Sequence, residues 1–65
     1  MELDYKAIGK RIKIARIQAE LSQEALAEKA DLSPTHMSNI ENANTKLSLP
    51  MLISIANALS VSADT

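Results

Sequence analysis

The sequence contains no cysteine, tryptophan or phenylalanine, and only one tyrosine, one histidine and one glycine. Without cysteine the chain can form no disulfide and no thiolate metal site, and it is suited to a reducing cytoplasm. A single histidine cannot build a histidine metal site. We therefore expect no metal, no cofactor and a cytoplasmic location. With so few aromatic residues, the core must consist of Leu, Ile, Ala and Met.

Long apolar runs and a strong charge of either sign are also missing. The most apolar stretch, residues 47–59, is interrupted by two serines and an asparagine, and it is too short and too polar to span a membrane. The 65 residues are enough for one small domain. The net charge is only −1, so a partner rich in phosphate would have to be recognised with few cations.

A short pattern that is typical of helix starts recurs along the chain. It consists of an apolar residue, a small capping residue, and an apolar residue four positions after the cap. The four caps are Asp4, Ser22, Ser33 and Ser48. Each can accept a hydrogen bond from a free N–H of the first turn. The pattern predicts an all-α domain with helices over about residues 5–19, 23–30, 34–41 and 49–59.

The pattern begins a fifth time near Ser62, three residues before the last residue, Thr65. We therefore expect a fifth helix to start there. A helix start so near the last residue predicts either that the chain is part of a longer protein or that its last helix is vestigial.

Three local features predict how the helices pack. Gly9 lies inside the first helix, where glycine costs up to about 1 kcal/mol relative to alanine, and a closely approaching backbone would explain it. Asp31 lies where the chain must reverse, and Asp tolerates the left-handed conformation. The residues of the fourth helix that we expect to face inward are Leu49, Leu52, Ile53, Ala56 and Leu59.

The third helix has an outer face without charge. Steps of about 100° per residue place Met37, Ile40 and Glu41 on one inner face. The residues on the opposite side are Thr35, Ser38, Asn39 and Asn42. Short amide and hydroxyl side chains suit the edges of DNA bases, since asparagine can pair with adenine and serine or threonine with several bases. The alternative is a polar surface without a partner.

Glu41 places a carboxylate on the inner face, and a buried charge needs a partner. Arg16 flanks the apolar stripe of the first helix, about 40° from Ile12. We predict an Arg16–Glu41 ion pair that joins the first helix to the end of the third. The alternative is that both charges are exposed to solvent.

The residues LSQEALAEKADLSPTHMSNIEN, preceded by IGKRIKIARIQAE and followed by LPMLISIANALSVSAD, resemble the Xre/Cro-repressor-like helix-turn-helix family. The likeness runs from about Ile8 to Asp64 without an insertion. It implies a compact four- to five-helix DNA-binding domain, usually dimeric, with the helix-turn-helix at helices 2 and 3. The third helix of such a domain lies in the major groove of double-stranded DNA. Ala43 stands where the family commonly has glycine, so we expect the loop to turn at Asn42 or Asn44 instead.

The resemblance also implies roles for particular residues. Gln23, at the N-terminus of helix 2, would contact the DNA backbone, because the N-terminus of a helix favours phosphate. The base-reading positions of the family correspond to Pro34, Thr35, Ser38 and Asn39. Its phosphate-contacting loop corresponds to Asn42, Asn44 and Lys46, and its structural ion pair to Arg16 and Glu41.

Two of these roles stay open. Pro34 either contacts a thymine methyl group or serves only at the helix start. His36 lies on the flank of the third helix, where it either contacts a phosphate or is a plain surface residue.

We therefore predict a sequence-specific DNA-binding domain of a transcriptional regulator, preferably a repressor, that acts as a homodimer on a two-fold operator. One alternative is the antitoxin of a toxin–antitoxin pair, which also binds a toxin protein. The other is a protein-interaction module that has lost DNA binding, as the near-neutral charge would allow. We expect no enzyme activity, because Ser33, Ser38 and His36 have no third catalytic partner and no oxyanion site.

Overall fold

The computed structural model describes the backbone of residues 4–63 and the side chains of residues 4–59. Within that range the chain forms four α-helices and no strand. They are α1 (Tyr5–Gln18), α2 (Gln23–Lys29), α3 (Pro34–Glu41) and α4 (Leu49–Ala63). The predicted all-α fold is confirmed. No helix in this range is both long and apolar enough to cross a membrane.

Helix α4 differs from the prediction at its C-terminal end. It was expected to end near Leu59, and a fifth helix to begin near Ser62, but α4 is continuous through Ala63. Residues 58–63 contain neither glycine nor proline, so nothing in this stretch breaks the helix. Ser62 fits the capping pattern in the sequence, but it lies inside α4 and does not start a new helix. Residues 64–65, the remainder of the expected fifth helix, lie outside the described residues.

The helix starts follow the predicted caps. The side chains of Asp4, Ser22, Ser33 and Ser48 each accept a hydrogen bond from the backbone N–H three residues later, at 3.0–3.3 Å. Each such cap stabilises the domain by about 1 kcal/mol. Leu3, the apolar residue of the first pattern, lies outside the described residues.

The ends of α1, α2 and α3 share one geometry. In each, the second residue after the helix is left-handed, with φ of 59° at Glu20, 62° at Asp31 and 59° at Ala43. Two backbone hydrogen bonds of 2.8–3.2 Å close each turn in the pattern of a Schellman motif. Glycine is the usual residue there, because a left-handed residue with a Cβ costs roughly 1–2 kcal/mol.

Only part of this was predicted. Asp31 is left-handed as expected, whereas the strained position at Glu20 was not foreseen. The turn after α3 was expected at Asn42 or Asn44, and that was wrong, because Ala43 is the left-handed residue. The hydrogen-bond pattern fixes the left-handed residue at one position relative to the helix end, so an asparagine on either side cannot take over that role.

The core is aliphatic and lies where the four helices meet. Its buried apolar residues are Ile12, Leu26, Ala27, Ala30, Met37, Ile40, Leu47, Ile55 and Ala58. The face that α4 turns inward was predicted only in part. Leu52 and Leu59 pack against the core as expected, but Leu49, Ile53 and Ala56 are exposed, and the buried residues are Ile55 and Ala58. Apolar residues occur all around α4, so periodicity cannot select a face. The buried face of α4 is determined by its packing against α2.

Gly9 is buried where α1 crosses the end of α3. A Cβ at this position would lie 2.8 Å from the carbonyl oxygen of Glu41 and would also collide with that of Ile40. The close backbone approach that the sequence called for is therefore present. It explains why glycine is kept inside a helix despite its cost of up to about 1 kcal/mol.

The strained turn after α3 predicts a stabilising substitution. We expect Ala43→Gly to raise the free energy of unfolding by about 0.5–1 kcal/mol, because relief of the left-handed strain outweighs the extra freedom of the unfolded chain. Urea denaturation measures the change. The control is Ala56→Gly, at an exposed position in the middle of α4, which we expect to lower stability by about 1 kcal/mol. A loss of similar size in both variants would contradict the assigned turn.

Candidate nucleic-acid interface

Helix α3 turns its apolar side to the core and a polar side outward. Ser33 caps the helix, Pro34 occupies its first position, and Met37, Ile40 and Glu41 are buried. The predicted base-reading residues are all on the other side. Pro34 and Thr35 are exposed, whereas Ser38 and Asn39 are half-buried. Shallow burial limits the freedom of these two side chains and fixes where their polar groups point.

A side-chain hydrogen bond links two of the outward residues. The amide Nδ2 of Asn42 donates to the hydroxyl of Ser38 at 3.4 Å, one helical turn away. Because Ser38 accepts this bond, its own O–H proton is free to point elsewhere. The outer face of α3 therefore presents amide and hydroxyl groups and no charge.

The loop after α3 holds the predicted phosphate-contacting residues on the surface. Asn42, Asn44 and Lys46 are all exposed. The N–H of Asn44 donates to the carbonyl oxygen of Asn39 at 2.8 Å, so the start of the loop is fixed to the last turn of α3. Lys46 supplies the single positive side chain between residues 32 and 49, with the histidine taken as neutral.

Gln23 and His36 are half-buried beside this surface. Gln23 is the first residue of α2, and its Nε2 donates to Oε1 of Glu41 at 3.0 Å. The backbone N–H of His36 donates to the capping hydroxyl of Ser33 at 3.1 Å. The Gln23–Glu41 bond was not anticipated, because sequence spacing alone does not bring the start of α2 to the end of α3.

The ion pair expected between Arg16 and Glu41 is present. Nε of Arg16 lies 2.7 Å from Oε2 of Glu41, and Nη2 lies 3.3 Å from Oε1. The two side chains are only 12% and 1% exposed. Two-point contacts of this kind are strong and directional. They hold α1 at a fixed angle to the end of α3.

Arg16 also fixes the turn that follows its own helix. Its Nη1 donates to the carbonyl oxygen of Leu21 at 2.9 Å. With Gln23, this makes a four-residue polar cluster of Arg16, Leu21, Gln23 and Glu41, which joins α1, the next turn, α2 and α3. No buried side-chain nitrogen or oxygen among the described residues lacks a hydrogen-bond partner. The buried charge is therefore compensated as it must be.

Residues 12–65 match a protein-family model described as helix-turn-helix. The chain belongs to the helix-turn-helix family. A curated relative, the immunity repressor protein of Bacillus phage phi105, is 41% identical over 54 residues, which cover 83% of this chain and 38% of the relative. The chain thus spans about two fifths of that relative's length. The family match confirms the predicted helix-turn-helix family.

In this helix-turn-helix, α2 and α3 are the two helices of the motif, and residues 30–33 form the turn.

Two surface clefts lie away from α3. One, of about 380 Å³, lies between the end of α2 and α4. The other, of about 290 Å³, is an apolar groove between α1 and α4. Neither is lined by a residue of α3. No group of three potential metal ligands is found among the described residues.

The polar cluster predicts a large effect on folding. We expect Glu41→Ala to lower the free energy of unfolding by about 3–5 kcal/mol, because it leaves the charge of Arg16 buried without a partner. Thermal unfolding followed by circular dichroism measures the loss. The matched control is Glu28→Ala, which removes an exposed carboxylate from α2 and is expected to change stability by less than about 0.5 kcal/mol. Equal melting temperatures for the two variants would refute the role given to the cluster.

Proposed function

We propose that the chain is the sequence-specific DNA-binding domain of a transcriptional repressor and that α3 enters the major groove of double-stranded DNA. The observation that carries the proposal is the outer face of α3, which presents amide and hydroxyl groups on the second helix of the motif. Its inner face is held by the buried Arg16–Glu41 pair. The name of the phage relative, an immunity repressor protein, favours repression.

Helix α3 has the size and chemistry for this task. A helix with its side chains is about 10–12 Å across, which fits a major groove about 12 Å wide. The 8 residues of α3 extend over about 12 Å along the helix axis. Asn39 can pair bidentately with adenine, while Thr35 and Ser38 can bond to several bases. Pro34 offers no N–H donor, so it contributes a thymine methyl contact or only the helix start.

Contacts to the backbone would surround this reading face. Asn42, Asn44 and Lys46 are exposed just beyond the end of α3 and can bond to phosphate oxygens. Gln23 uses one amide proton for Glu41 and keeps a second proton for a phosphate. His36, half-buried on the flank of α3, remains available for a phosphate contact or a surface role.

The proposal includes a homodimer on a two-fold operator in the cytoplasm, where bacterial DNA lies. A helix of about 12 Å faces only three or four base pairs at 3.4 Å each. Since each base pair contributes roughly 1–3 kcal/mol of discrimination, one copy reads too little sequence for a unique site. Two copies on half-sites one helical turn apart double that reading.

Selection of bound sequences from a pool of random duplexes, followed by gel shift, tests the proposal. We expect a palindromic site, and we expect Asn39→Ala to weaken binding to it by about 1–3 kcal/mol and to relax the preference at one base pair of each half-site. The control is Asn57→Ala, which removes an exposed asparagine from α4. An equal loss on all sequences would refute the reading role of Asn39. Absence of any gel shift at low salt would favour a protein-interaction module instead.

The contact proposed for Lys46 has a separate signature. Lys46→Ala should weaken binding uniformly across sequences and reduce the slope of log affinity against log salt by about 1 for each protomer bound. Lys29→Ala, at the end of α2 that points away from the loop, is the control and should leave the slope in place. An unchanged slope in Lys46→Ala would rule out a phosphate contact.

A further inference from the structure

Helix α1 carries three lysines whose role the interface described above leaves unexplained. Lys6, Lys10 and Lys13 are all exposed, and we call them the lysine face. Among the described residues the structure shows one ion pair, between Arg16 and Glu41, so none of the three lysines is paired with a described residue. Three exposed lysines without an ion-pair partner among the described residues are a notable feature in a chain with a net charge of −1.

The position of the lysine face follows from the contact at Gly9. Counted from Ile12 at about 100° per residue, Gly9 lies at about +60° and the three lysines between about +100° and +160°. Gly9 packs against the backbone carbonyls at the end of α3. The lysine face is therefore the surface next to that contact, on the side of α1 that carries the end of α3.

Arg11 marks the opposite side of the same helix. It lies at about −100° on the same count, and it lines the apolar groove between α1 and α4. The cations of α1 thus lie on three different sides of the helix. Arg16 is paired inside, Arg11 faces α4, and the lysine face borders the place where α3 passes into the loop that begins at Asn42.

We propose that the lysine face is a second phosphate-binding surface, which continues the backbone contacts of the loop onto α1 of the same protomer. The inference rests on the proposed function, because its ligand is the sugar–phosphate backbone of the duplex that α3 reads. Lysine is suited to this role, since its ammonium is a point charge on a flexible stem that can follow a phosphate without a fixed geometry. The exposed carboxylates Glu24 and Glu28 lie on α2. The exposed carboxylates nearest to the lysines in the sequence, Asp4 and Glu20, lie outside the two ends of α1.

The lysine face would supply the phosphate contacts that the loop after α3, with its single lysine, cannot make. A loop with one lysine neutralises one phosphate per protomer, and DNA affinity depends strongly on the number neutralised. With the lysine face, a protomer reaches a count of neutralised phosphates closer to that of a basic domain, although the net charge of the chain is slightly negative. Local concentration of positive charge on the surface that faces the DNA would thus take the place of a high net positive charge of the whole domain.

Two double variants with the same change in net charge test the proposal. Lys6→Gln/Lys13→Gln removes two lysines from the face, and Arg11→Gln/Lys29→Gln removes two cations from elsewhere. Affinity for a duplex that the unmodified chain binds is measured from about 50 to 200 mM salt. Circular dichroism at each salt concentration establishes that both variants are folded.

We expect the lysine-face variant to reduce the slope of log affinity against log salt by about 1.8 per bound protomer, that is about 0.9 for each lost contact. At about 0.1 M salt this corresponds to a loss of affinity on the order of 50-fold. The Arg11/Lys29 variant should keep the original slope. Equal slope changes in both variants would overturn the proposal, because total charge alone would then explain the effect. That result would leave the proposed function intact, whereas failure of the unmodified chain to bind any duplex would remove both.

Discussion

The buried pair of Arg16 and Glu41 is the interaction on which the arrangement of the helices depends. Glu41 is the one charged residue that is buried in the described part of the chain. Its carboxylate accepts from Arg16 at 2.7 and 3.3 Å and from Gln23 at 3.0 Å. Burying a charge is costly unless several donors surround it. These bonds can form together only when α1, α2 and the end of α3 have one relative orientation. The cluster therefore specifies the angle at which α3 presents its outer face.

Close backbone approach is the second constraint, and it acts at the same place. Gly9 allows α1 to pass directly over the carbonyl end of α3, which brings the guanidinium of Arg16 within reach of Glu41. The three helix ends carry no glycine although each has a left-handed residue. The domain thus keeps its single glycine for the helix crossing, where any side chain would collide. It accepts roughly 1–2 kcal/mol of strain at Glu20 and at Ala43, and less at Asp31, since Asp tolerates the left-handed conformation.

The sequence predicted the features that depend on local chemistry. The caps at Ser22 and Ser33, the helix starts and the inner position of Glu41 follow from residue type and helical period. It failed where tertiary contact decides. In α4 the apolar residues run all around the helix, and only its contact with α2 selects Ile55 over Ile53. The hydrogen bond from Gln23 to Glu41 could not be predicted from the sequence either, because it depends on the angle at which α2 and α3 cross.

The charges of the domain are separated in space, and this separation would make the proposed DNA recognition compatible with a net charge of −1. The outer face of α3 is neutral, so in the proposed complex its contacts to bases would depend on hydrogen-bond geometry and would add little to non-specific attraction. The lysine face and Lys46 lie near the end of α3, whereas Arg11 lines the groove between α1 and α4 and Lys29 ends α2. Affinity that comes from phosphate contacts is insensitive to sequence. Such contacts raise the affinity for every sequence alike, so in the proposed complex the preference for one site comes from the contacts of α3 to base edges.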